Sequence, residues 1–382
     1  MGGIFEPFLD HHAKESQPPS VVLPSEFLAG RTEQGTRINL PLIVEPTMPE
    51  LLPSDEQLQM MIDHKQTTLT VKQQRSLTSY VLEQIQQNKT VDGQELLRLA
   101  DQKTAELAAL ANIILRSSKI GAPIALELYR GAMDAGDDRG AFSYANMIYR
   151  GYRGTPKNEE LGIKLMSQLA QKGHPYAQMN LAAILMRTRS DQVEAALKLY
   201  QLAAKAGLHN AYAELGRMYR LGYGVHQDHA KAIHYFEQGS RAGNAQCNFM
   251  LGVYYSSGLG TQEKEPDQTK AFKYFQKAAM KGMPEAQYNV GLRFLKGHGV
   301  EPNSFNAAEF FRMAALQGFQ LAQANLAGMY AEGRGVKKDL DEARQWLSKA
   351  AASGGAIGKD AEKRLAELNK DNSASKSPCV IM

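Results

Sequence analysis

The sequence holds only two cysteines, Cys247 and Cys379, in 382 residues. Two thiols cannot build a disulfide framework, and such sparing use points to a reducing compartment. Long apolar runs are also missing. No stretch approaches the roughly 20 residues that span a bilayer, so no transmembrane helix is expected. A charge surplus is missing too: 44 Lys+Arg stand against 40 Asp+Glu, a net +4. The basic residues are scattered rather than striped along one face, so no nucleic-acid partner is expected. The first residues lack a basic stretch followed by an apolar run, and no secretory signal is read there. Acidic residues and two histidines within residues 1–30 argue against a mitochondrial presequence. Gly2 would suit myristoylation, but Glu6 stands where Ser or Thr is required.

Apolar residues, by contrast, make up 43% of the chain, enough for a large core. Residues 1–53 are rich in proline and without helical period, which reads as an extended or disordered arm. Within it, Leu40 to Val44 is a short apolar piece able to dock onto something. Helical signals fill residues 54–104: Ser54 or Asp55 as a cap, a stripe of Leu77, Val81, Leu82 and Ile85, and a capping box of Asp92 with Glu95.

From about residue 105 the chain repeats itself. Ala196, Leu199, Tyr200, Ala203, Ala204 and Gly207 share a frame with Ala271, Tyr274, Phe275, Ala278, Ala279 and Gly282, and with Ala307, Phe310, Phe311, Ala314, Ala315 and Gly318. The closing glycines, Gly136, Gly173, Gly207, Gly243, Gly282, Gly318 and Gly354, are 37, 34, 36, 39, 36 and 36 residues apart. Two helix-length segments per period mean a helical repeat array. A Gly-x-Gly turn closes the first helix of the clearest copies, as at Gly222/Gly224, Gly297/Gly299 and Gly333/Gly335, while the copy at residues 177–210 lacks it, and Asp228 and Asp339 stand where caps of second helices belong.

These residues resemble the Sel1-like repeat, a relative of the tetratricopeptide repeat, over roughly residues 105–357, with six to seven copies. The resemblance implies an all-α fold: a right-handed α-solenoid of paired antiparallel helices. Residues 358–370 then read as a capping helix with Ala361, Leu365 and Leu368 inward, and residues 371–382 as a flexible tail. It also implies a scaffold or adaptor rather than an enzyme, with no cofactor.

No chemical constellation competes. His226, His229 and His234 flank Asp228, but their spacing across a loop-to-helix junction does not converge on a metal. Asp134, Asp137 and Asp138 look like the start of a calcium loop without its twelfth-position Glu. The paired glycines lack the strand and the Lys-Ser/Thr of a phosphate loop. Cys247 reads as a buried helix residue. Most ring positions read as core, while Tyr223 and Tyr255 are expected to escape it and contact a partner along the concave face.

Cys379, Val380, Ile381 and Met382 have the form that prenyltransferases read, with the terminal Met favouring farnesyl. The expectation is farnesylation and methylation of Cys379 after removal of Val380, Ile381 and Met382. One prenyl chain holds a protein to a bilayer only marginally. Between residues 365 and 378 only Arg364's successors Lys370 and Lys376 are basic, so a polybasic stretch is missing and a membrane protein gripped by the repeats becomes the expected second attachment. Repeats plus this terminus resemble the fungal chitin synthase activators, from which the N-terminal arm departs by being short. That resemblance implies a client such as an integral-membrane chitin synthase at the cytoplasmic face of the plasma membrane. An assembly factor or chaperone adaptor in an organelle is the alternative.

Overall fold

The computed structural model describes residues 47–188, 192–259 and 265–374. The proline-rich residues before Thr47, including the apolar piece at 40–44, residues 189–191 and 260–264, and residues 375–382 lie outside them. Among the described residues the chain is all helix, and it divides into two compact units at Leu208/His209.

The first unit opens with α1 (Met48–Leu51), α2 (Asp55–Asp63), α3 (Val71–Gln86) and α4 (Gly93–Leu99). Leu51, Leu58, Leu77, Val81 and Leu96 are buried together under α5 (Thr104–Ser117) and α6 (Ala122–Asp134). Two further pairs follow: α7 (Asp138–Arg150) with α8 (Glu159–Gln171), and α9 (Pro175–Thr188) with α10 (Val193–Lys205). Ser54 caps α2 by accepting from the Gln57 amide. The capping box expected at Asp92 is only half formed. Asp92 accepts from the Gln94 amide, while Glu95 turns away to Arg98, whose guanidinium offers it two charged hydrogen bonds.

The second unit holds four pairs: α11 (Asn210–Leu221) with α12 (His229–Arg241), α13 (Ala245–Ser257) with α14 (Gln268–Ala279), α15 (Pro284–Lys296) with α16 (Ser304–Leu316), and α17 (Gln320–Glu332) with α18 (Leu340–Ala352). Each second helix starts at a side-chain cap: Asp228, Asp267, Asn303 and Asp339 accept from amides of the first turn. The final helix, α19 (Gly355–Ala374), packs on α17 and α18 and begins three residues before the expected start, straight after Gly354. Ala361 is buried, and Leu365 and Leu368 pack on the same core.

Register between neighbouring pairs is set at the backbone. A Cβ at Gly299 would lie 2.0 Å from the Gln268 carbonyl, and one at Gly335 would lie 2.1 Å from that of Ser304. Gly299 and Gly335 therefore rest on the first turn of the preceding second helix, where no side chain fits.

Candidate partner-binding surface

Within the second unit, three of the four second helices carry two adjacent rings with separate tasks. The latter ring is core: Phe236, Phe275 and Phe311 are buried against Gly216, Gly252 and Gly291. A Cβ at those glycines would come within 2.4, 2.8 and 2.7 Å of the ring. In the last pair the same places hold Leu347 and Ala327, a smaller side chain matched by a larger one. The former ring stacks on the first helix: Tyr235 on Tyr219, Tyr274 on Tyr255 and Phe310 on Phe294, with centroids 5.6, 5.4 and 5.8 Å apart. Lysine ammoniums cover the two half-buried tyrosine stacks: Lys231 over Tyr219, Lys270 over Tyr255 and Lys277 over Tyr274. Burial holds the hydroxyls of Tyr255 and Tyr274 above the usual tyrosine range, and the Glu237 carboxylate adds to the shift.

The two residues expected to meet a partner are placed differently. Tyr223 follows the left-handed Gly222 that ends α11 and is 46% exposed, with the Arg217 guanidinium 6.0 Å from its ring. Tyr255 is half-buried in its stack and offers an edge rather than a face. The aromatic that sits three residues before the closing glycine serves the seam of its own pair, and Tyr223, one residue beyond it, does not. Leu221 ends α11 and Leu259 follows α13, 51% and 47% exposed, and Val253 is exposed within α13. Their aliphatic character reads as core in sequence. The repeat register carries the signal against that reading, because Leu221 aligns with Ser257, Lys296 and Glu332.

His226 is exposed, and the remaining candidates are accounted for by packing. His229 Nδ1 lies 3.0 Å from the buried Tyr254 hydroxyl, and His234 sets its edge on Tyr235. Burial pushes Tyr254 up to about 12. Asp137 caps α7 through the Gly140 amide, Asp134 faces Arg130, and Asp138 pairs with Lys172, so the three carboxylates have separate partners. Among the described residues no three of His, Cys, Asp and Glu gather into a metal-binding group. Cys247 is buried against Gly239, where burial pushes its thiol up to about 12. Cys379 lies outside the described residues.

The Sel1 repeat model matches six consecutive segments: residues 139–174, 175–208, 209–244, 245–283, 284–319 and 320–355. The chain belongs to the Sel1 repeat family. The α5/α6 pair precedes the first match yet forms the same kind of hairpin. Curated relatives include protein sel-1 homolog 2 of Homo sapiens, 38% identical over 50% of this chain and 28% of its own length. Chitin synthase regulator SKT5 of Saccharomyces cerevisiae is 28% identical over 37% of this chain and 21% of its own. An ERAD-associated E3 ubiquitin-protein ligase component, HRD3B of Arabidopsis thaliana, is 32% identical over 31% and 18%. The match thus spans less than a third of each relative. Among solved structures, a Sel1 repeat protein from Oxalobacter formigenes superposes with a TM-score of 0.59 at 25% identity, covering 90% of this chain and all of that one.

Proposed function

We propose that this chain is a non-catalytic adaptor that is farnesylated at Cys379 and held at the cytoplasmic face of the plasma membrane. There its repeats bind and recruit or activate an integral-membrane enzyme, with a chitin synthase the preferred client. The observation that carries this proposal is the pairing of a Sel1 repeat array with the terminal sequence Cys379–Met382. The likeness to a protein named as a chitin synthase regulator supports the choice of client. The exposed apolar residues Leu221, Tyr223, Val253 and Leu259 are the contacts offered to a protein partner. A prenyltransferase is the other implied partner.

Mass spectrometry of the cell-derived protein tests the anchor: Cys379 carries a farnesyl group and the protein ends there. Cell fractionation tests its consequence, with Cys379→Ser moving the protein out of the membrane fraction. An unmodified Cys379 would sink the tether. Likeness to the ligase component favours a second possibility, a subunit of a degradation complex of an organelle. Under that possibility Cys379→Ser leaves the protein with its membranes.

A further inference from the structure

The tail that carries Cys379 leaves the fold at a defined edge. Arg344, at the start of α18, donates from Nε to the Asn369 side-chain oxygen (3.1 Å) and from its terminal nitrogen to the Leu368 carbonyl (3.1 Å). The far end of α19 therefore lies beside the first turn of α18. That turn is preceded by Arg334, Lys337 and Lys338, all exposed, in the turn leaving α17. Gly335 in the same turn sits on the first turn of α16, 2.1 Å from the Ser304 carbonyl by the position of its missing Cβ. This contact brings Phe305, 63% exposed, and Leu340, also exposed, to one edge of the second unit with the three cations. The acids of this edge are partly committed. Asp339 caps α18, Asp341 bonds Arg344 and Glu342 accepts from the Trp346 indole, while Glu301 and Glu332 also lie in these turns.

Reach decides which way this edge faces. α19 runs five residues past Asn369, about 7.5 Å of helix. Five more residues separate Ala374 from Cys379, at most about 17 Å of chain. A lipid on Cys379 is thus confined close to the edge that bears Phe305, Leu340, Arg334, Lys337 and Lys338.

Resting on the lipidated Cys379 proposed above, we infer that this edge of the second unit is a membrane-docking surface for anionic lipid headgroups. Three cations and a bared phenylalanine are the chemistry of an interfacial contact. The polybasic signal missing from the linear tail is then supplied by residues more than 40 positions upstream of Cys379, brought in by folding. The exposed apolar residues at the ends of α11 and α13 stay available for the client.

The full chain can be tested independently of the cellular enzyme by coupling an alkyl maleimide to Cys379, since Cys247 is buried. Flotation with phosphatidylcholine vesicles, with and without phosphatidylserine, reads the affinity. The parent is expected to bind the phosphatidylserine vesicles more tightly, and this preference shrinks in high salt. Arg334→Gln with Lys337→Gln and Lys338→Gln reduces it on the order of a hundredfold, at about fivefold per cation, without changing binding to neutral vesicles. None of the three is buried, so matched thermal unfolding of parent and variant confirms an intact fold. Phe305→Ser weakens binding to both vesicles. Equal binding of the parent to both vesicles, or a triple variant that keeps its preference, overturns the inference and leaves the edge to a protein or to solvent. An unmodified Cys379 in cells overturns the tether and leaves the vesicle result standing.

Discussion

The first unit and the second fill the same seam between paired helices with different side chains. In the second unit a glycine receives a phenylalanine three times over, at Gly216/Phe236, Gly252/Phe275 and Gly291/Phe311. In the first unit Ala145 clusters with Met166 instead, and in the last pair of the second unit Ala327 shares a core with Leu347. An added methyl on one helix goes with a smaller side chain on the other. Summed volume across the seam, rather than one fixed residue, is what a close-packed interior requires.

The largest effect should come from emptying one of these seams. Phe311→Ala leaves a cavity beside Gly291 and is expected to cost about 3–5 kcal/mol. Chemical denaturation of the full chain would read it, with the loss confined to the transition of the second unit. Gly291→Ala overfills the same seam and should cost about 1–3 kcal/mol. Combined with Phe311→Leu it reproduces the Ala327/Leu347 solution, so a double-mutant cycle should show favourable coupling. Additive losses would break the volume rule.

A second difference concerns how first helices begin. Asn244 caps α13 in the second unit by accepting from the Cys247 amide. At the matching position of the first unit His174 accepts from the Ala177 amide through Nδ1, stacked on Phe142 and beside Tyr176. Burial holds His174 below the ordinary 6.5, outweighing Asp138 and Asp137, which pull it up. The unfolded chain therefore takes up this proton first, and stability is lost as pH falls below 6.5 toward the lowered folded-state value. His174→Asn keeps a cap and should flatten that part of the pH profile, measured as thermal midpoint against pH. A profile unchanged by the substitution would assign the effect elsewhere.

The smallest effect concerns buried glutamines. Gln178, Gln287 and Gln323 each donate to the last turn of the preceding helix, at Ala170, Ala279 and Ala315. The Gln287 oxygen is satisfied by Gln317 of the same helix pair, whereas those of Gln178 and Gln323 are buried without a partner. The position matching Gln317 holds Ala206 in one case and Ser353 in the other. Ser353→Gln should stabilise the second unit by about 1 kcal/mol. No gain would mean that water already fills the place.

Much of this molecule is legible in the sequence because its repeats write each rule several times. The closing glycines, the Asp228 and Asp339 caps and the buried Phe236, Phe275 and Phe311 all follow from period alone. What escapes is set by contacts between distant positions. Tyr255 is drawn into a stack with Tyr274, nineteen residues on, and so is less available than its type suggests. Leu221 and Leu259 look like core until the register aligns them with polar residues. Arg334, Lys337 and Lys338 come into question for the tail only because Arg344 ties Leu368 and Asn369 to the helix that those cations precede. A count of charges along the tail misses them.

Proximity labelling from the chain in its own cells tests the adaptor account most directly. The farnesylated protein should tag a membrane enzyme, a chitin synthase foremost, and Cys379→Ser should tag it far less. Equal labelling of the same neighbours by both forms would contradict the two-point attachment.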